Sequence, residues 1–199
     1  FALGKLYLAG DAALPRDPAA ALKWLTYAAE LGNQFAQYRL GKLLLKGDDG
    51  IPKDVITAIR WLTAAAKQEN GYAEYALALV YLTGEDAPKD SVKALSLLKR
   101  SAGRGNQFAQ YRLGKLLLQG EDAPKDVKAA IRWLTAAAEQ GNQYAQYALG
   151  KLYLLGKKVP KDRVNAIKWF QMAADQGMEG AQEALSRVSA EMQEAAQAG

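Results

Sequence analysis

The chain has 199 residues, of which 50% are hydrophobic and 24% charged, and its formal net charge is +5. It contains neither cysteine nor histidine, which removes disulfides, thiolate metal sites, the commonest general base and the commonest metal ligand. Its apolar runs are too short to span a membrane as a helix.

The organising stretch, residues 107–140, reads as two amphipathic helices joined by a Pro-Lys-Asp turn. It recurs along almost the whole chain: residues 34–47 repeat its first half and residues 58–66 its second. A small residue near the middle of each first helix falls at Gly4, Gly41, Ala78, Gly114, Gly150 and Ser186, at intervals of 37, 37, 36, 36 and 36. The second helices give their own column at Trp24, Trp61, Leu97, Trp133 and Trp169. A fixed period of this size with two helices per unit predicts an α-solenoid. No helix pair can bury its apolar face alone, so stacked neighbours share one core. The expected fold is all-α: an α/α solenoid of about five antiparallel helix pairs, closed by a C-terminal capping helix.

Residues 1–33 make a first unit that begins at Phe1, inside the first helix by alignment with Tyr38, Tyr75, Tyr111 and Tyr147. The chain is therefore read as a fragment of a longer protein, whose targeting it does not report. Further units span 34–70, 71–106, 107–142 and 143–178, and residues 179–199 match a sixth first helix that is expected to cap the array.

In every turn an Asp stands two residues after a proline: Asp17, Asp54, Asp90, Asp126 and Asp162. Each is expected to cap a second helix rather than to bind a metal or act as an acid. Second helices close on Gly32, Gly105, Gly141 and Gly177, the usual left-handed exit. The second unit has Glu69 there, followed by Asn70, so either the turn shifts by a residue or Asn70 turns left-handed. The third unit has Leu97 for Trp, Ser96 for Lys or Arg, and Gly103 near its helix end, and is expected to be the loosest joint. The turn lysines Lys53, Lys89, Lys125 and Lys161 are partly offset by Asp48, Asp49, Glu85, Asp86, Glu121 and Asp122.

Stepping about 100° per residue from Leu40 puts Ala36, Gln37, Leu43 and Leu44 on the buried side of the helix, and Phe35, Tyr38, Lys42 and Leu45 opposite. In a helix-pair solenoid that opposite side is the concave surface. The candidate binding residues there form columns: Phe35, Tyr72, Phe108 and Tyr144; then Tyr38, Tyr75, Tyr111 and Tyr147; then Lys42, Lys115 and Lys151, with Arg39 and Arg112 beside them. Two readings stay open for the aromatics. They pack on the next unit, or they bind an extended peptide or protein surface, with Tyr supplying contact area and Lys steering acidic groups. The column Leu8, Leu45, Leu82, Leu118 and Leu154 is read as structural, and Lys23, Arg60, Arg132 and Lys168 as convex and solvated. The Trp column is read as core, and Lys42 and Lys115 as exposed.

Per unit the sequence reads A-Q-Y-x-L-G-K-L-x-L-x-G, then P-K-D, then A-I-x-W-L-x-x-A-A-E-Q-G-N. This wording resembles the Sel-one-like repeat (SLR) family over essentially the whole chain, with the third unit the weakest match. The resemblance implies a right-handed superhelix related to tetratricopeptide arrays and an adaptor or scaffold role, mostly in bacteria. The cysteine-rich secreted branch of the family does not fit a chain without cysteine. The expected function is a non-enzymatic protein–protein interaction scaffold that takes a protein or peptide partner along its concave face, with no cofactor, metal or membrane, in the bacterial cytoplasm. The repeats also resemble repeat regions attached to relaxase-like mobilisation proteins. That gives an alternative, a nucleic-acid-contacting region whose lysines track phosphates while bases stack on the aromatics. An enzyme is not expected, because the carboxylates are turn residues or caps.

Overall fold

The period becomes helix pairs. In the computed structural model, which describes residues 1–47 and 50–197 with side chains through Glu191, first and second helices alternate. The first helices are α1 (Ala2–Ala9), α3 (Gln34–Lys46), α5 (Gly71–Thr83), α7 (Gln107–Gln119) and α9 (Gln143–Leu155). The second helices are α2 (Pro18–Glu30), α4 (Val55–Lys67), α6 (Ser91–Gly103), α8 (Val127–Glu139) and α10 (Arg163–Ala174), and α11 (Glu179–Gln197) ends the array. Each first helix packs on its own second helix, forming an α/α solenoid architecture within two compact units, residues 1–106 and 107–199. Asp48 and Asp49 of the second turn lie outside the described residues, as does the end of the alanine-rich tail.

The expected caps are in place. Asp17, Asp54, Asp90, Asp126 and Asp162 each accept the amide three residues on, at 2.9, 3.0, 2.9, 2.9 and 3.0 Å. Asn33, Asn70 and Asn142 do the same for α3, α5 and α9, at 2.9, 3.0 and 3.0 Å. Gly32, Gly105, Gly141 and Gly177 close the second helices at φ 84°, 86°, 88° and 84°. At the odd exit neither expectation holds: Glu69 itself takes φ 65°, and Asn70 stays at φ −70°. Asn70 must remain extended for its side chain to cap Ala73, so the left-handed step falls on the residue before it.

The helices of a pair meet across small residues. A Cβ added to Gly41 would sit 2.6 Å from Leu62 Cγ, and one on Gly114 would sit 2.7 Å from Leu134 Cγ. Leu25, Leu62, Leu98, Leu134 and Phe170 are fully buried behind them. This column stands one residue after the tryptophans and corrects the reading of the Trp column as the core. Trp24 is 38% exposed and Trp61, Trp133 and Trp169 are half-buried. One residue is a rotation of about 100°, enough to move a side chain from the centre of the buried stripe to its flank. There the Trp61 and Trp169 rings pack against clusters that hold residues of the preceding repeat. At the C-terminal end α11 lays Ala181, Ala184 and Val188 down as its buried face, and the two alanines join Phe170 in one core.

A polar clasp links the repeats. Gln37 donates to the Ala29 carbonyl at 3.0 Å and accepts from Gln68 at 2.8 Å. Gln146 repeats this with Ala138 and Gln176, at 3.0 and 2.8 Å, and Gln140 donates to Gln110 at 2.8 Å. The third repeat, expected to be the loosest joint from Ser96, Leu97 and Gly103, carries a different clasp built from other residues. Fully buried Glu74 replaces the glutamine and cannot donate when ionised. Arg100 and Arg104 face its two oxygens at 2.6 and 3.2 Å, and Arg100 donates to the Ala66 carbonyl at 3.3 Å in the glutamine's stead.

Candidate functional site

The first-helix face follows from this packing. With Ala36, Gln37, Leu40 and Leu44 turned inward, Phe35, Arg39 and Lys42 turn outward and Tyr38 lies half-buried between repeats. Its ring centroid is 5.8 Å from that of Tyr72, and Phe1 and Phe35 stand 6.3 Å apart in the same way. In the second unit Tyr111 and Tyr144 stand 6.0 Å apart. Tyr147 lies 5.7 Å from Phe170, and Gly180 occupies the next place in the first aromatic column, where a Cβ would be 3.5 Å from the Tyr147 hydroxyl.

The two aromatic columns differ in exposure. Tyr38, Tyr75, Tyr111 and Tyr147 are partly buried, and burial pushes the Tyr38 and Tyr111 phenols above the usual tyrosine range. Phe35, Tyr72, Phe108 and Tyr144 keep 52, 52, 44 and 51% of their surface exposed.

Two of these lysines, Lys115 and Lys151, lie over the rings four residues before them. The Lys115 ammonium is 5.7 Å from the Tyr111 centroid and that of Lys151 is 5.5 Å from Tyr147, cation–π distances. Lys42, Arg39 and Lys151 are exposed. Lys115, expected to be exposed, is partly buried, as is Arg112: a long aliphatic stem can be covered while its charge stays near water. On α1, α3, α5, α7 and α9 the one carboxylate is buried, paired Glu74, so these helices present cations and aromatics.

Notches open between neighbouring first helices. One of about 370 Å³ lies between α3 and α5, lined by Tyr38, Lys42, Leu45, Lys46, Tyr75 and Leu79, with Glu85 and Asp86 at its lip. Another of about 210 Å³ lies between α7 and α9, lined by Leu118, Ala148, Lys151, Leu152, Leu155, Lys157 and Lys158. Sequence reasoning missed Lys46, Leu155, Lys157 and Lys158. The signal was present: Lys157-Lys158 follows the closing Gly156, where other turns carry Glu85-Asp86 and Glu121-Asp122. A larger cavity, about 760 Å³, is elsewhere, over Trp24 and Tyr27 on α2. Lys23, Arg60, Arg132 and Lys168 are exposed as expected, Arg60 and Lys168 lying 5.5 and 5.8 Å from the adjacent Trp rings.

The description "Sel1 repeat" matches the chain at residues 1–33, 34–70, 71–106, 107–142 and 143–178. The chain belongs to the Sel1 repeat family. No curated protein sequence matches it. Among solved structures it is similar to c5321, a protective antigen of uropathogenic Escherichia coli strains with an SLR fold, at 34% identity and a TM-score of 0.82. It is also similar to a Sel1 repeat protein from Oxalobacter formigenes, at 33% identity and a TM-score of 0.82. These matches cover 94 and 92% of this chain but only 40 and 53% of the two relatives. The immunity protein PA5088 of Pseudomonas aeruginosa shares the fold at 21% identity, with a TM-score of 0.61 over 90% of this chain and 66% of its own. Sel1 repeat proteins are generally non-catalytic scaffolds for protein–protein interaction. Among the described residues no helix is long and apolar enough to cross a membrane.

Proposed function

We propose that this Sel1 repeat chain is a non-enzymatic adaptor that holds a peptide or protein partner on its first-helix face. The observation that carries the reading is the half-exposed aromatic column, Phe35, Tyr72, Phe108 and Tyr144, next to exposed Arg39, Lys42 and Lys151 on helices without an exposed carboxylate. Aromatic side chains supply large contact areas at low conformational cost, and the cations raise the rate of encounter with acidic partners. The Asp column of the turns, Asp17, Asp54, Asp90, Asp126 and Asp162, is occupied as caps, which supports a binding rather than a catalytic role.

The lysines stacked over Tyr111 and Tyr147 favour one second reading, contact with single-stranded nucleic acid. An anisotropy titration separates the two, using a labelled peptide pool and labelled single-stranded DNA at two salt concentrations. Peptide binding that persists at the higher salt and falls in Tyr72→Ala and Tyr144→Ala supports the adaptor. Tight DNA binding that collapses with salt and in Lys42→Glu/Lys151→Glu, with no peptide retained, replaces it with the nucleic-acid reading.

A further inference from the structure

The notch between α3 and α5 and the notch between α7 and α9 are equivalent sites two repeats apart, yet they differ in charge: at the first Lys42 and Lys46 balance Glu85 and Asp86, whereas the second is lined by three lysines and no carboxylate. At the first, the lip carries Glu85 and Asp86, and the Asp86 carboxylate lies 2.6 Å from Lys53. At the second, Lys157 and Lys158 occupy those two places, and Lys151 replaces Leu79 on the wall. Leu155 replaces Thr83 at the rim and is 57% exposed. Each of these exchanges adds positive charge or apolar surface, and the lining of the α7–α9 notch holds no carboxylate.

Two of the three ammonium groups have a fixed contact beside the aliphatic lining. Lys158 donates to the Leu118 carbonyl at 2.7 Å, which anchors it across the notch, and Lys151 sits over Tyr147. Among the described residues no carboxylate forms an ion pair with Lys151, Lys157 or Lys158. Like charges gathered without an ion-pair partner create a positive local potential that a bound anion relieves. Carboxylates meeting lysines form the stronger, charge-assisted class of hydrogen bond.

We propose that the α7–α9 notch docks an acidic peptide segment, one whose carboxylates flank an aliphatic side chain. The aliphatic side chain enters the notch of about 210 Å³ over Leu118, Leu152 and Leu155, and the flanking carboxylates meet Lys151, Lys157 and Lys158. The lining favours a peptide over a nucleic acid because it offers leucines rather than an aromatic platform for a base. At the α3–α5 notch Glu85 and Asp86 offset Lys42 and Lys46, so that notch offers the same segment no net positive charge, and one chain distinguishes acidic from uncharged ligands by repeat. The proposal rests on the adaptor reading and specifies its ligand.

Fluorescence anisotropy tests it with three probes: a short labelled peptide of alternating Glu and Leu, its Gln-for-Glu counterpart, and oligothymidylate. The proteins are the wild type, Lys157→Glu/Lys158→Asp, which installs the residue types of the α3–α5 lip, and the reciprocal Glu85→Lys/Asp86→Lys. The expected result is binding of the acidic peptide roughly tenfold tighter than of its neutral counterpart, a loss of about tenfold in the first variant, and a gain in the second. Circular dichroism checks the fold, and Lys151→Gln substitutes should the first variant melt early. Equal binding of the two peptides overturns the proposal and leaves the adaptor reading standing. No binding of either peptide overturns both, and tighter, Lys157-dependent binding of oligothymidylate replaces the peptide by a nucleic acid.

Discussion

The Glu74 carboxylate lies 2.6 Å from Arg100 and 3.2 Å from Arg104, at the place where neighbouring repeats pair two glutamines. The two clasps are alternative solutions to one problem, a buried polar position beside the exposed end of the preceding second helix. They are not interchangeable piece by piece. Arg100→Ala/Arg104→Gln leaves a fully buried carboxylate without its partners and should lower stability by about 3 kcal/mol. Adding Glu74→Gln rebuilds the neutral clasp and should restore most of that loss. Urea unfolding of the double and triple variants measures the coupling, and simple additivity would refute it.

Leu134 rather than Trp133 sits at the centre of the buried stripe. Leu134→Ala should cost about 3 kcal/mol, and Trp133→Ala less, since the indole is half-covered already. Denaturant midpoints of the two variants give the order directly. A larger loss for Trp133→Ala would put the tryptophan back in the core.

Glu69 occupies a left-handed exit that glycine fills at Gly32, Gly105, Gly141 and Gly177. Its carboxylate accepts from Arg104 at 2.9 Å, which offsets the backbone strain at an exposed site. Glu69→Gly should raise the melting temperature by roughly 2–4 °C, by scanning calorimetry, because strain relief exceeds a solvated ion pair.

Acid should loosen the caps first. Backbone donation from Thr57 holds the Asp54 carboxyl below the usual range, donation from Asn165 does so for Asp162, and Arg104 does so for Glu69. Groups with depressed folded values stabilise the fold above their unfolded values of about 4, and the contribution is lost as pH falls through the depressed ones. Asp54→Asn/Asp162→Asn keeps a capping oxygen without the charge, so its unfolding midpoint should fall less between about pH 5 and pH 2 than the wild type's. Parallel curves would contradict this.

What could be read from sequence was whatever the repeat states several times. Helix pairs, the Asp caps and the glycine exits recur at a fixed spacing and so announce their role. The Trp misreading came from a single helical step: periodicity ranks Trp133 and Leu134 alike as apolar, and only packing against the opposite helix decides which points inward. The left-handed conformation of Glu69 was missed because it is imposed by the Asn70 cap that follows it. The charged lip at Lys157 and Lys158 was overlooked for another reason. A turn looks solvated in sequence, and the notch it borders exists only once α7 and α9 are side by side.

The most direct test of the binding face uses photo-crosslinking. Peptides selected for binding from a random library would be irradiated with variants carrying a photoreactive phenylalanine at Tyr72 or Tyr144 on first helices, or at Arg60 or Arg132 on exposed second-helix positions. The account predicts crosslinks from Tyr72 and Tyr144 and none from Arg60 and Arg132. Labelling confined to Arg60 and Arg132 would show that the partner sits on the second helices and would contradict it.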